Sequence, residues 1–151
     1  MAFFNSKLRY ALCAAIDLAQ QPANTACQSR EIATRQAIPG PYLDQILASL
    51  KSAGLVRSIR GAGGGYCLAR TPDRITAHEV VKAVMRSDRL VAGRNAEEPL
   101  DVEAKGANWV VQDFEERLEA LLVEKLERTT LAELTQKKTV LDDSLSMMMG
   151  I

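Results

Sequence analysis

Between Leu43 and Leu50 the large apolar residues fall at positions 43, 46, 47 and 50, the spacing that lines one face of a helix. The next stretch, Leu55-Val56-Arg57-Ser58-Ile59-Arg60, shifts to a partly alternating, β-branched pattern that predicts a strand. Gly54 separates the two periods as a left-handed terminator, while Gly40 as N-cap and Pro41 at the first helical position suit the helix start. Gly61-Ala62-Gly63-Gly64-Gly65 then predicts a flexible hairpin tip, from which Tyr66-Cys67-Leu68-Ala69 returns. A helix with a polar outer face, followed by a hairpin with an arginine at its tip, predicts a winged helix-turn-helix.

The same periodicity places the remaining elements. Asn5 or Ser6 can cap a first helix whose inward stripe is Leu8, Leu12, Ala15, Ile16 and Ala19; Cys13 lies outside that stripe. Ser29 is the expected N-cap of a short second helix over 30–36, on which Arg30 and Arg35 are candidates for phosphate contacts. Thr76 and Glu79 form a capping box that opens a further helix through Val80, Val81, Ala83, Val84 and Met85. His78, the only histidine, falls in its first turn without cysteine or acidic partners, an arrangement that speaks for a surface residue and against a metal ligand. Residues 87–108 are rich in Gly, Asn, Asp and Glu and lack periodicity, which predicts a mobile loop. A long helix is expected over 109–128, with Val110 or Val111, Phe114, Leu118, Leu121, Leu122 and Leu126 as its stripe. Thr130 and Glu133 make a second capping box for a short last helix ending near 136, and residues 137–151 are expected to fray. The domain reading is thus 1–86 winged helix-turn-helix, 87–108 loop, 109–136 long and short helices, 137–151 flexible tail. The fold class is mainly α with a small β-hairpin wing.

Rotation of the 43–50 stripe inward turns Pro41, Gln45, Ala48, Ser49 and Ser52 outward, with Tyr42 and Asp44 on the flanks. Such a face can read a major groove. Glutamine offers adenine a donor and an acceptor together, and a carboxylate accepts from cytosine N4. Arg57 and Arg60, with Gly61, Gly63 and Gly64 allowing close backbone approach, equip the hairpin for a minor groove, and Arg70 adds charge near it.

Charge sharpens this picture because the zero net charge hides a division. Residues 1–86 hold 11 Lys and Arg against 5 Asp and Glu, whereas residues 87–151 hold 8 against 14. A basic half suits a polyanion, and an acidic half discourages binding on the wrong side. A composition 47% hydrophobic and 25% charged fits a soluble globular chain without a membrane span or signal peptide. Three cysteines, an odd count without metal-ligand spacing, favour a reducing cytoplasm.

The stretches Tyr42-Leu43-Asp44-Gln45-Ile46-Leu47, Lys51-Ser52-Ala53-Gly54-Leu55-Val56 and Arg60-Gly61-Ala62-Gly63-Gly64-Gly65-Tyr66 resemble the Rrf2 family of bacterial transcription regulators. The opening Lys7-Leu8-Arg9-Tyr10-Ala11-Leu12 resembles the start of that family. The likeness is close over about 85 residues and looser to Gln136. Asp44, Ala62 and Gly40-Pro41 depart from the usual glutamate, proline and serine, which bears on base preference. The resemblance implies a homodimer that binds double-stranded DNA, at a pseudo-palindromic promoter site, as repressor or activator. It also implies pairing through the long helix, with Val111, Phe114, Leu118, Leu121 and Leu122 at the interface. Cluster-binding members carry three closely spaced cysteines in the region of 87–108; here no cysteine follows Cys67, so no iron–sulfur cofactor and no metal site is expected. Control is then expected from a small ligand or protein effector, or from a thiol change at Cys13, Cys27 or Cys67.

Two other classes are weaker. The Gly61–Gly65 run has neither dinucleotide nor Walker spacing and leads into a strand, and no nucleophile–histidine–acid set points to an enzyme. A winged helix devoted to protein–protein contact would not need the arginines around the hairpin.

Overall fold

The computed structural model describes residues 3–85, 87–91 and 105–150. Helix α1 (Ser6–Ala19) is followed by α2 (Ser29–Gln36) and α3 (Gly40–Ser52), then by strands β1 (Val56–Ile59) and β2 (Gly65–Leu68). A short 3-10 turn at Pro72–Arg74 leads into α4 (Ala77–Val84), and α5 (Lys105–Arg128) and α6 (Leu131–Met149) complete the described chain. The strands form an antiparallel hairpin in which Val56 faces Leu68 and Ile59 faces Gly65. This is the mainly α, winged helix-turn-helix architecture that the periodicity predicts.

One core holds the winged helix together. Leu8 and Ala11 of α1, Ile32 of α2, Leu43, Ile46, Leu47 and Leu50 of α3, Val80 and Val81 of α4, and Leu131 of α6 are all essentially inaccessible to solvent. Fully burying one such leucine, isoleucine or valine stabilises the fold by roughly 1.5–3 kcal/mol, so the apolar stripe is a main fastening of α3.

Local signals set the helix ends. Asn5 caps α1 through its side-chain oxygen, which accepts from the Leu8 N–H at 3.0 Å. Thr76 and Glu79 make the reciprocal capping box of α4. Gly54 takes the left-handed conformation after α3, with φ +75°. Small shifts occur elsewhere. Gln28, not Ser29, caps α2, because Glu31 can reach back to the Gln28 N–H at 3.0 Å. Pro39 occupies the cap position of α3 and Gly40 begins it.

Three expectations are corrected. The buried face of α1 is Leu8, Ala11, Ala14, Ala15, Asp17 and Leu18, while Leu12, Ile16 and Ala19 are only half-buried. The face is rotated because small alanines, not the longer residues, allow α1 to lie close to several helices at once. Next, α5 begins at Lys105, so the last four residues assigned to the loop are helical; within that predicted loop, 92–104 lie outside the described residues. Finally, α6 runs to Met149 through the stretch expected to fray. It is sustained by Glu133–Lys137 and Lys138–Asp142 pairs four residues apart, and by Gln20 of α1, whose side chain donates to Asp142 at 3.3 Å. Lys138 and Gln20 hold the Asp142 carboxyl below its usual range.

The junction of α5 and α6 is stitched to the winged helix by backbone. The Ala77 N–H donates to the Thr129 carbonyl and the Leu131 N–H to the Ile75 carbonyl, both at 2.8 Å. None of the described helices is long and apolar enough to cross a membrane.

Candidate nucleic-acid interface

Helix α3 has its four large apolar residues fully buried, and this orientation turns Pro41, Tyr42, Asp44, Gln45, Ala48 and Ser52 to solvent. Ser49, expected on the same face, is half-buried. The outward set is small or polar over more than two turns, the profile of a helix that can approach a groove closely.

The hairpin is a tight, fastened turn and not the flexible tip that five small residues suggest. Inside it the Gly64 N–H donates to the Gly61 carbonyl at 3.0 Å. Beside it Tyr66 and Cys27 exchange both backbone bonds, at 2.8 and 2.9 Å, tying β2 to the segment that leads into α2. Gly65 makes that approach possible: a Cβ there would lie 2.4 Å from the Cys27 carbonyl oxygen, and its φ is +156°. Gly61 and Gly63 are exposed and uncrowded.

The basic residues separate by role. Arg60, at the strand–tip junction, and Arg30, on α2, are exposed and form no ion pair among the described residues. Arg57 is exposed but donates to the Asn24 side chain at 2.6 Å, which ties β1 to the α1–α2 loop. Arg70 is committed to the Glu79 carboxylate and to the Arg74 carbonyl. It fastens the end of the hairpin to α4, and its guanidinium holds the Glu79 carboxyl below the usual range.

Arg35 is the clearest departure from expectation. Its guanidinium grips both oxygens of Asp17, at 2.8 and 2.9 Å, and Gln36 donates to the same carboxylate at 2.9 Å. Asp17 is only 2% exposed. Arg35 is therefore the partner that makes a buried carboxylate tolerable, not a free phosphate ligand, and Asp17 raises its affinity for the proton further. The pair locks α2 onto α1. Its one trace in the sequence is Asp17 itself, the single charged residue in the apolar run from Ala11 to Ala19.

The thiols are mostly enclosed. Cys27 and Cys67 are buried and Cys13 is half-buried. Burial pushes the Cys27 thiol up, against the lowering effect of Arg35, whose guanidinium donates to the sulfur at 2.7 Å. Among the described residues no group of three or more His, Cys, Asp or Glu side chains is arranged to hold a metal ion. His78 is half-buried in the first turn of α4, its Nδ1 3.5 Å from a Glu127 carboxylate oxygen of α5.

Among the described residues, most exposed large apolar side chains lie on α5 and α6. Trp109 is 72% exposed, Phe114 59% and Leu121 63%, and Val110, Val111, Leu118, Val140, Leu141 and Leu145 are exposed with them. Leu122 and Leu126, assigned to the same stripe, are half-buried, and Leu126 packs against the core of its own chain.

A helix-turn-helix whose second helix is polar outside, backed by a glycine-built wing with an unengaged arginine, defines a DNA-binding transcription regulator. The family model described as Rrf2, iron-dependent transcriptional regulator, matches residues 4–137, and the chain belongs to that family. CymR of Bacillus subtilis is 35% identical over 86% of this chain and 87% of its own. IscR of Cronobacter sakazakii is 35% identical over 92% of this chain and 83% of its own. Among solved structures, B. subtilis CymR, titled the global cysteine regulator, superposes with a TM-score of 0.69 at 29% identity, covering 91% of this chain and 98% of that one. IscR of T. potens gives a TM-score of 0.66 at 30% identity, with 89% and 86% covered.

Proposed function

We propose that this regulator works as a homodimer on a pseudo-palindromic promoter site, with α3 in the major groove and the wing at the minor groove of each half-site. The observation that carries the reading is the outward face of α3. Gln45 and Asp44 are chemically equipped to meet base edges there, Pro41 and Tyr42 lie at the end of the helix that enters first, and Arg60 stands unengaged on the hairpin. Arginine is favoured in narrow A/T-rich minor grooves, and the exposed Gly61 and Gly63 let the backbone follow it in. Arg30 supplies a phosphate contact from α2.

A second copy is the occupant that suits the α5 face. Val111, Phe114, Leu118 and Leu121 form a stripe too apolar to be left in water, and a two-fold arrangement of the same helix covers it with itself. Two α3 helices spaced one DNA turn apart then match a two-fold operator. The cytoplasm is where such a chain meets DNA.

The donor set does not fit the cluster found in iron–sulfur members of the family. Residues 87–108 contain no cysteine, and Cys27 and Cys67 are enclosed in the winged helix. We infer that no such cluster resides here and that control comes from a small ligand, a protein effector or a thiol change.

Footprinting with the full chain tests the DNA reading, and sedimentation the dimer. The expected results are two protected half-sites about 10 base pairs apart and a dimeric mass. Failure to protect any duplex overturns the first reading, and a monomer at micromolar concentration the second. A colourless, iron-free anaerobic preparation is expected; a brown one with stoichiometric iron refutes the cofactor inference.

A further inference from the structure

The first turn of α3 carries an aromatic pair whose role goes beyond base readout. The Tyr42 ring meets that of Tyr10, on α1, edge to face, with centroids 5.5 Å apart and planes at 84°. This is a preferred geometry for two aromatic rings, in which the positive edge of one meets the negative face of the other. Tyr10 is half-buried against the core, whereas Tyr42 is 37% exposed, so the pair runs from the interior to the surface. Among the described residues the Tyr42 hydroxyl has no hydrogen-bond partner.

The backbone around Tyr42 offers few donors of its own. A helix N-terminus ordinarily offers several free N–H groups to a phosphate. Here Pro39 and Pro41 have none, which leaves only the N–H groups of Gly40 and Tyr42 before the helix ladder begins with Leu43, whose N–H donates to the Pro39 carbonyl at 3.0 Å. The first turn is thus poor in backbone donors, and the phenol of Tyr42 supplies one from its side chain. Lys7 and the exposed Arg9 lie on α1 within one turn of Tyr10 and add positive charge to this end; Asp44 opposes it from α3. Tyrosine has only two side-chain torsions, and the ring contact with Tyr10 restrains both, so little conformational freedom remains to be lost on binding.

Resting on the DNA-binding reading, we propose that Tyr10 is a positioning residue, which holds the Tyr42 ring so that its hydroxyl donates to a backbone phosphate beside the recognition helix. Such a contact fixes the register of α3 and carries no base information.

The test is DNA binding by the full chain at a series of salt concentrations, on the footprinted duplex and on a scrambled one. Tyr42→Phe should lower affinity roughly tenfold on both duplexes, the loss expected for one hydrogen bond to a charged acceptor. The slope of log affinity against log salt should stay as in wild type, because a neutral donor releases no counterion. Losing a cationic contact would reduce it by about 0.9. Tyr10→Leu should reproduce the loss, Tyr10→Phe should bind like wild type, and the Tyr10→Leu/Tyr42→Phe double variant should be no weaker than either single one. Thermal melts check that each variant folds, and Tyr10→Met replaces Tyr10→Leu if the latter does not. Wild-type affinity in the Leu or Met variant, additive losses in the double variant, or an equal loss in Tyr10→Phe overturns the proposal. A wild-type chain that protects no duplex fails earlier and overturns the DNA-binding reading with it.

Discussion

Replacing Gly65 by alanine sets a methyl group 2.4 Å from the Cys27 carbonyl oxygen and 2.9 Å from the Gln28 nitrogen. Neither neighbour can swing aside, since both are backbone at the start of α2. The wing must move instead, and the two bonds between Tyr66 and Cys27 go with it. Each bond contributes about 0.5–1.5 kcal/mol net, and an L side chain at a φ of +156° adds strain of roughly 1 kcal/mol or more. The expected destabilisation is about 2–4 kcal/mol, a fall in Tm of roughly 5–15 °C for a chain of this size. DNA binding should fall further than stability requires, because Arg60 is carried by the displaced hairpin. Gly63→Ala is the matched control: nothing lies within 4 Å of its added Cβ and its φ is not in the strained range, so Tm should hold within about a degree. Circular-dichroism melts and binding to the footprinted duplex read both effects. If Gly65→Ala melts and binds like Gly63→Ala, the wing is not held by its contact with Cys27.

Arg35→Ala should cost more than Asp17→Ala, about 3 kcal/mol against 1–2, because it strands a carboxylate that is 2% exposed, whereas a freed Arg35, 42% exposed, can hydrate; urea titrations giving the reverse order would contradict the assignment. Arg60→Ala should weaken specific binding by roughly 1–3 kcal/mol without changing Tm, while Arg70→Ala should lower Tm first, since its guanidinium serves Glu79. Gln45→Ala should lose discrimination at one base-pair position and keep non-specific affinity; a uniform loss over a panel of altered sites would mean a phosphate contact. Glu79 titrates lower in the folded chain than unfolded, chiefly through Arg70, so its stabilisation is complete above the ordinary value of 4.5 and lost as pH falls through the depressed one. Wild type should therefore exceed Glu79→Gln in stability at neutral pH, and the gap should close in acid; a gap independent of pH would remove the carboxylate from the account.

Legibility in the sequence followed the range of the interaction concerned. The α3 stripe, the terminator at Gly54, the change of period into β1 and the box formed by Thr76 and Glu79 depend on residues a few positions apart. Helical rotation and capping chemistry act over that distance, so these elements and the outward face of α3 could be derived from the chain alone. The hairpin was legible as a hairpin but not as a fastened one, because the partner of Gly65 and Tyr66 is Cys27, nearly forty residues earlier. In α1 the apolar spacing pointed to Leu8, Leu12, Ala15, Ile16 and Ala19, whereas the structure buries Ala11, Ala14 and Leu18 with Leu8 and Ala15, since close helix approach rewards small residues. Arg35, like Arg30, looks from the sequence like a candidate phosphate contact. Only the arrival of Asp17 from α1 shows otherwise, because the buried carboxylate needs Arg35 as its partner. Similarly, α6 extends to Met149 because its surface charges pair along the helix and Asp142 reaches α1, neither of which an apolar period reports. The sequence alone determined the helices and strands of the winged helix and the outward face of α3; the tertiary structure decided how far α5 and α6 extend and which of the described arginines are already engaged, because that depends on carboxylates and carbonyls brought from elsewhere in the chain.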